Sequence, residues 1–416
     1  MIFTKSYKSL TIFFFTFRAA KIEKIYNFAK VSNIFDLYLV DSPFIYTRSL
    51  DNDPFIGRQN EIDWLSSNLM QGVHTMIVEP SFSGKQSLIN QGFLRVQKQK
   101  APKKICYVPL FNIRSWDDFL THLAERAADS FVNTLTEWKS LCLDLLPLNN
   151  PTVKIDERKM NSLHLSFSPK LSEKQREELF AFPERVCYHF QEQLVVYMSD
   201  FQCVNLFDDS YPLLTSALKT WRQHTQTTYL ISASKPNAMH ALDGNREILK
   251  KVFEHIPLTP IDERLFTDHI VRGFSKAGRV ISKELAELLY RKMEGHPFYT
   301  QHFAHLCFVN TKGFMNNAMY QQAFEELLEI YHRPFTAITD DLTPPQINFL
   351  KAVTHNVERF CTSDVLKKYE LNSSANVTRV RMALEKKEIL YFKRNKPFFI
   401  DPLFKIWFSE RFTSPL

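Results

Sequence analysis

Thr75-Met76-Ile77-Val78-Glu79-Pro80-Ser81-Phe82-Ser83-Gly84-Lys85-Gln86-Ser87-Leu88-Ile89 is the stretch on which the reading of this chain turns. It runs from a short apolar strand through a tight loop into the start of a helix. That is the outline of a phosphate-binding loop, and the pattern G-x-x-x-x-G-K-[ST] lies across it. The match is incomplete: Glu79 stands where the pattern has Gly, and Gln86 where it has Ser or Thr. In such a loop the backbone N–H groups point inward at phosphate oxygens, and the following helix adds its positive N-terminal end. The candidate binding residues are therefore Glu79, Pro80, Ser81, Phe82, Ser83, Gly84, Lys85, Gln86 and Ser87. Lys85 would reach the β and γ phosphates. The hydroxyl that normally follows it binds Mg2+; Gln86 lacks one, and Ser87 is the next hydroxyl along.

Upstream, Gly57-Arg58 turns the chain, and from Glu61 the residues Ile62, Leu65, Leu69 and Met70 recur at helical spacing. Downstream, a helix is expected over 83–97, a second strand over 104–110, and a helix N-capped by Ser115. Residues 145–170 are turn-rich and then alternate, which reads as a hairpin-like insertion. A charged surface helix over 169–181 and the end of another over 184–190 follow. The run Gln193–Gln202 is apolar until Asp200, as in a buried central strand ending in a carboxylate. A helix over 213–221 and a β-rich run over 227–234 come next. Strands alternating with helices imply a parallel sheet and an α/β core.

A loop of this kind needs a partner carboxylate across the site. Asp200 is the candidate catalytic and Mg2+-binding residue, with Lys85 as the phosphate-contacting partner and Ser87 as the weak second metal ligand. Two acidic residues in tandem would hold the metal and activate water, but here Ser199 precedes Asp200. The alternative is an Asp that merely ends a strand at the surface.

From Leu258 a helical region is expected, interrupted by Gly295-His296-Pro297-Phe298-Tyr299 and resumed at 300–308. The last part changes character. Helices near 344–354, 363–369 and 377–387 precede two strands, 389–393 and 397–400, joined by Arg394-Asn395-Lys396. Three helices and a hairpin is the winged-helix order.

The bulk numbers frame this without deciding it. Net charge is +7; residues 1–41 hold six Lys or Arg against three Asp or Glu, so +3 of it lies there. The remainder is a mild bias that permits a nucleic-acid partner. Six cysteines occur without C-x-x-C spacing, which speaks against a metal framework and fits a cytoplasmic protein. Residues 1–41 place Lys5 and Lys8 before an apolar run, the order of a signal peptide, but the run is too short to span a membrane. That segment is read as a non-conforming extension, to be disordered; export is the alternative.

Taken together, these stretches resemble the archaeal-type ATPases, a branch of the STAND and AAA+ group of P-loop NTPases, in the form found as bacterial ATP-binding proteins. The likeness is carried by Phe55-Ile56-Gly57-Arg58, the loop at 79–87, Ser199-Asp200-Phe201-Gln202, Leu218-Lys219-Thr220-Trp221, Ala233-Ser234-Lys235, His296-Pro297-Phe298-Tyr299, Leu342-Thr343-Pro344-Pro345-Gln346 and Asp401-Pro402-Leu403-Phe404. The resemblance implies a P-loop NTPase core over 42–257, a helical lid over 258–340 and a winged helix over 341–416. It implies ATP as ligand, with Gly57, Arg58 and the Gly295–Phe298 stretch, including Pro297, flanking the adenine, and Ser234 or Lys235 near the γ phosphate. It has Asp-Glu where this chain has Ser199-Asp200, so both expected metal positions, 86 and 199, are changed.

Two functions follow as expectations. One is a nucleotide-dependent switch in which ATP clamps lid and winged helix, with weak or absent hydrolysis and an unidentified protein partner. The other is DNA binding through Arg379, Arg381, Lys386, Lys387, Lys393, Arg394 and Lys396, with the core as scaffold. Two residues apart on a helix, Arg379 and Arg381 cannot share one face. A weaker third reading is a protein-interaction module built on the insertion at 145–170. No membrane partner is expected.

Overall fold

The computed structural model describes residues 42–49, 55–156, 162–167, 170–208, 210–243 and 248–413. The extension at 1–41 lies outside the described residues. The core consists of α1 (Gln59–Gln71), β1 (Thr75–Val78), α2 (Lys85–Gln97), β2 (Lys104–Pro109), α3 (Trp116–Asp129), α4 (Leu135–Leu145), β3 (Thr152–Asp156), β4 (Ser162–Ser166), α5 (Glu173–Phe190), β5 (Leu194–Ser199), a 3₁₀ turn (Phe201–Leu206), α6 (Ser210–Trp221), β6 (Thr227–Ala233), α7 (Pro236–Asp243) and β7 (Glu254–His255). Five strands pair in parallel in the order β2-β5-β6-β1-β7.

The unbroken apolar run of β5 has a physical reason. Val196 and Met198 face one apolar cluster with Trp138 and Trp221, while Val195 and Tyr197 face another with Leu65, Leu88 and Ile89. Successive side chains point to opposite faces, so a strand covered on both sides must be apolar throughout. One strand, β6, stands between β1 and β5. The loop after β1 and the end of β5 therefore open at the same edge of the sheet.

The expected break between a surface helix and a second helix near 182 is absent. α5 runs unbroken from Glu173 to Phe190 with Pro183 inside it. Proline removes one helical hydrogen bond, but Phe180, Phe182, Val186 and Cys187 are fully buried around it. The Glu184 carboxylate also accepts the backbone N–H groups of Thr225, Gln226 and Thr227 at 2.8–3.1 Å. Packing outweighs the lost bond. The insertion is an antiparallel hairpin, Thr152 opposite Ser166. It is docked on the core: Leu165 is buried, and its N–H donates to the Glu125 carboxylate at 2.8 Å.

Beyond the sheet come α8 (Glu263–Lys276), α9 (Lys283–Lys292), α10 (Pro297–Asn310) and α11 (Asn317–Asp340). The first of these starts later than Leu258, because Thr259 before Pro260 favours extended backbone and Asp262 caps the helix by accepting from the Leu265 N–H at 3.0 Å. Then follow α12 (Pro344–Thr354), α13 (Ser363–Lys368), α14 (Ser374–Lys386), β8 (Leu390–Lys393), β9 (Lys396–Phe399) and α15 (Pro402–Phe412). The helical segment and the winged helix share one apolar cluster, from Phe266 and Phe303 through Phe335 to Trp407 and Phe408. Among the described residues no helix is long and apolar enough to cross a membrane.

Candidate functional site

The loop 79–84 joins β1 to α2, and both ends obey local rules. β1 is pinned between β6 and β7. Gly84 takes φ +84° at the N-cap of α2, and no side chain caps the helix there. Its first N–H groups are thus left for a ligand, at the positive end of the helix dipole. A Cβ on Gly84 would lie 3.0 Å from Arg58 Nη1 and 3.6 Å from Pro297 Cγ. An added Cβ would press on Arg58 and strain the left-handed backbone, and the distances place Arg58, Gly84 and Pro297 in one cluster. Gly57 sits just outside it, against Ile261 and Leu265.

Arg58 is buried, and its guanidinium joins the loop to the segment leading into α8. Nη1 donates to the Ser83 carbonyl at 2.6 Å, and Nε to the Thr259 carbonyl at 3.2 Å. The Lys85 ammonium, also buried, donates to the Glu79 and Pro80 carbonyls at 3.2 and 3.3 Å. The Glu79 side chain turns out of the loop and accepts from the Leu258 N–H at 2.9 Å. Burial raises its pKa, against the Leu258 hydrogen bond and the charges of Arg58 and Lys85. The residue that departs from the phosphate-loop pattern is therefore a strut to the lid entry.

The start of α10 packs on the same loop. Phe82, with φ +65° and half its surface exposed, stacks on Phe298 with ring centroids 4.4 Å apart. His296 sits beside Arg58 and Ser81. Burial and the Arg58 charge push its pKa down to about 4, against a hydrogen bond to the Ser81 backbone. Pro297 occupies the first turn of α10, where a missing N–H costs nothing.

At the end of β5 the side chains are hydrogen-bonded to one another. Gln86 Oε1 accepts from the Tyr197 hydroxyl at 2.9 Å, and its Nε2 donates to Asn90 Oδ1 at 2.8 Å. Tyr197 also shares a 2.9 Å hydrogen bond with Ser232, and Tyr107 one of 2.9 Å with Ser199. The two tyrosine rings stack at 5.2 Å. Asp200 takes φ +55° and accepts from Gln202 Nε2 at 3.1 Å, while Gln202 Oε1 accepts from the Ser234 N–H at 3.2 Å. Asp200 and Ser234 are thus linked through Gln202. Ser87 is half-buried, about 100° around α2 from Gln86.

ATP and Mg2+ can each be tested against these residues. A phosphate fits: the α2 amides carry no side-chain cap, two cations line the loop, and the Ser83 hydroxyl is buried with no hydrogen-bond partner. A buried orphan hydroxyl in such a loop is a ready donor to a phosphate oxygen. Mg2+ does not fit. It wants carboxylate and hydroxyl oxygens in octahedral array, and the groups at 86 and 199 are an amide and a hydroxyl already held by tyrosines.

Sequence reading missed Tyr107, Tyr197, Ser232 and Gln202 as parts of this site. Tyr197 carried a signal: it shares a face with Ser199, two residues on, inside an otherwise apolar strand.

The parallel sheet, loop, helical segment and winged helix have the fold of an AAA+ P-loop ATPase with a C-terminal winged helix. Residues 333–410 match a family model described as a probable winged helix domain. The Walker-type ATPase PABY2304 of Pyrococcus abyssi superposes with a TM-score of 0.62 at 12% identity, over 88% of this chain and 99% of that one. The ADP form of the Aeropyrum pernix ORC2 protein gives 0.53 at 11% identity, over 89% and 98%. Its ADPNP-ADP complexes give 0.52 at 13% identity, over 87% and 98%. No curated protein matches the chain in sequence.

Proposed function

We propose that this chain is a cytoplasmic, ATP-binding switch in which occupancy of the phosphate loop sets the position of the lid and winged helix, with hydrolysis weak or absent. The observation that carries the proposal is the Arg58 guanidinium, which holds the loop through Ser83 and the lid entry through Thr259 at the same time. A phosphate drawing Lys85 off the Glu79 and Pro80 carbonyls would shift the loop against this clamp, and the Phe82–Phe298 stack would carry that shift to α10. ADPNP and ADP complexes of the Aeropyrum pernix ORC2 protein, which shares the fold, support a nucleotide as ligand. Asp200 is the residue we assign to the γ-phosphate side, with Ser234 beside it. Its carboxylate is bonded to Gln202, which supports slow turnover. Calorimetry tests the proposal: wild type should bind ATP and Lys85→Ala should not. Equal binding by both would refute it.

A second reading is favoured by one feature of the winged helix. Arg379, Lys386, Lys393, Arg394 and Lys396 are all exposed. Arg381 instead lies over the Phe392 ring, 4.2 Å from its centroid, and Lys387 is paired with Asp341. Glu388, which would dilute this charge, is turned toward the core. A basic helix face flanked by a basic wing fits a duplex backbone. DNA binding that weakens steeply with salt is the result expected; its absence at low salt would remove this reading.

A further inference from the structure

We propose that the nucleotide site works without a divalent cation, and that the tyrosine pair Tyr107 and Tyr197 occupies, by hydrogen bonds, the two positions that would otherwise carry metal ligands. This rests on the nucleotide reading above.

The first position is Gln86, directly after the loop lysine. Its carbonyl oxygen is taken by the Tyr197 hydroxyl, which is itself shared with Ser232. The second is Ser199, at the end of β5, whose hydroxyl is taken by Tyr107. All five groups are neutral and satisfy one another. Gln86 and Ser199 are neutral and each already holds a hydrogen bond, so as ligands these two side chains would bring a cation no negative charge. Mg2+ sheds its waters reluctantly, and in nucleotide sites it is held through one or two protein carboxylates together with the phosphates.

The phenols cannot supply that charge. The Tyr197 hydroxyl donates to Gln86 Oε1, and Tyr107 shares its hydroxyl bond with Ser199. The nearby carboxylate already accepts a hydrogen bond. Asp200 sits in left-handed backbone, and its Oδ1 faces the Gln202 amide, which in turn holds the Ser234 N–H. Among the described residues no group of three His, Cys, Asp or Glu side chains is arranged to hold a metal ion. Phosphate charge is met from elsewhere: Arg58 and Lys85 are both buried at the loop, and Glu79 has turned its carboxylate away to Leu258. A site with its own cations, neutral groups at 86 and 199 and one carboxylate already hydrogen-bonded to Gln202 takes the bare polyphosphate.

The decisive experiment is calorimetric titration of ATP into the full chain, once with EDTA and once with MgCl2. The dissociation constants should agree within about threefold, less than 1 kcal/mol. Tightening by Mg2+ of about tenfold or more would overturn the inference while leaving nucleotide binding intact. Binding in neither condition would remove the nucleotide reading itself, and this inference with it. Chain recovered from ATP plus Mn2+ should retain nucleotide with little manganese; a ratio near one would overturn the assignment. The double substitution Gln86→Thr with Ser199→Asp should create Mg2+ dependence. If the folded double variant stays indifferent to Mg2+, these side chains do not set the metal requirement and the assignment fails. Should that variant not fold, the wild-type titrations still decide.

Discussion

The carboxylate of Glu388, in the winged helix, caps a helix of the α/β core: it accepts from the Ala238 N–H at 2.8 Å and the Asn237 N–H at 3.3 Å. α7 begins with Pro236, so Asn237 and Ala238 present the first free amides of that helix. Asn237 completes the joint by donating its side-chain amide to the Glu385 and Leu390 carbonyls at 2.9 and 2.8 Å. Ser234 and Lys235 stand directly before this helix. The end of β6 at the site is thereby tied to the winged helix.

Glu388→Ala should remove that cap at a cost of about 1 kcal/mol. The loss should appear as faster hydrogen exchange across 236–243 and a larger radius of gyration by small-angle scattering, with the secondary structure retained. Unchanged exchange in this helix would show that the joint carries no stability.

Phe82→Ala should free the loop. An aromatic pair contributes about 0.5–1.5 kcal/mol beyond its area burial. Exchange of the amides over 81–87 should therefore quicken by about two- to tenfold, while those of β5, remote from the stack, keep their rates.

His296 should make stability fall in acid. Its folded-state pKa is pushed down to about 4 by burial and by Arg58, from an ordinary value of 6.5. A depressed pKa contributes stability that is present above about pH 6.5 and is lost as pH falls toward 4, because the unfolded chain takes up a proton that the folded one refuses. His296→Asn keeps a capping side chain and removes the titration. Near pH 5 the slope of unfolding free energy against pH should be shallower by about 1 kcal/mol per pH unit. Equal slopes by denaturant titration would contradict this.

Gly295→Ala should destabilise the lid. Gly295 holds φ +70°, and an added Cβ would stand 2.5 Å from the Tyr290 hydroxyl, which donates to the Ile261 carbonyl at 2.6 Å. Left-handed strain plus the displaced tyrosine should lower stability by about 1–3 kcal/mol, read from the denaturation midpoint.

On the winged helix, replacing Lys393, Arg394 and Lys396 by Glu should abolish DNA binding if the second reading holds. Restoring one of these basic residues at a time should steepen the salt dependence by roughly one counter-ion each. ATP affinity should not change, since these side chains are exposed on the wing.

Much of this was legible from local rules. Thr75–Val78, Gly84 and Lys85 announce strand, turn and helix because each obeys a short-range constraint: side-chain alternation, positive φ, an uncapped helix start. The buried run of β5 announces a strand covered on both faces. The order of helices and hairpin after Leu342 announces the winged helix. Where local rules misled, a distant partner was responsible: Pro183 reads as a break in the chain but lies mid-helix because buried aromatic neighbours and the contacts of Glu184 hold the turn together.

The sequence by itself determined that a phosphate loop, a parallel sheet and a winged helix are present, because hydrophobic period and turn chemistry are properties of neighbours along the chain. The tertiary structure alone decided what the irregular residues do. Glu79 reaches a partner 179 positions away, Gln86 one 111 away, and Glu388 one 150 away. Such pairs form only when sheet register and domain packing have brought remote backbone together. No local pattern encodes that the Glu79 carboxylate meets the Leu258 amide, or that the Gln86 carbonyl meets the Tyr197 hydroxyl.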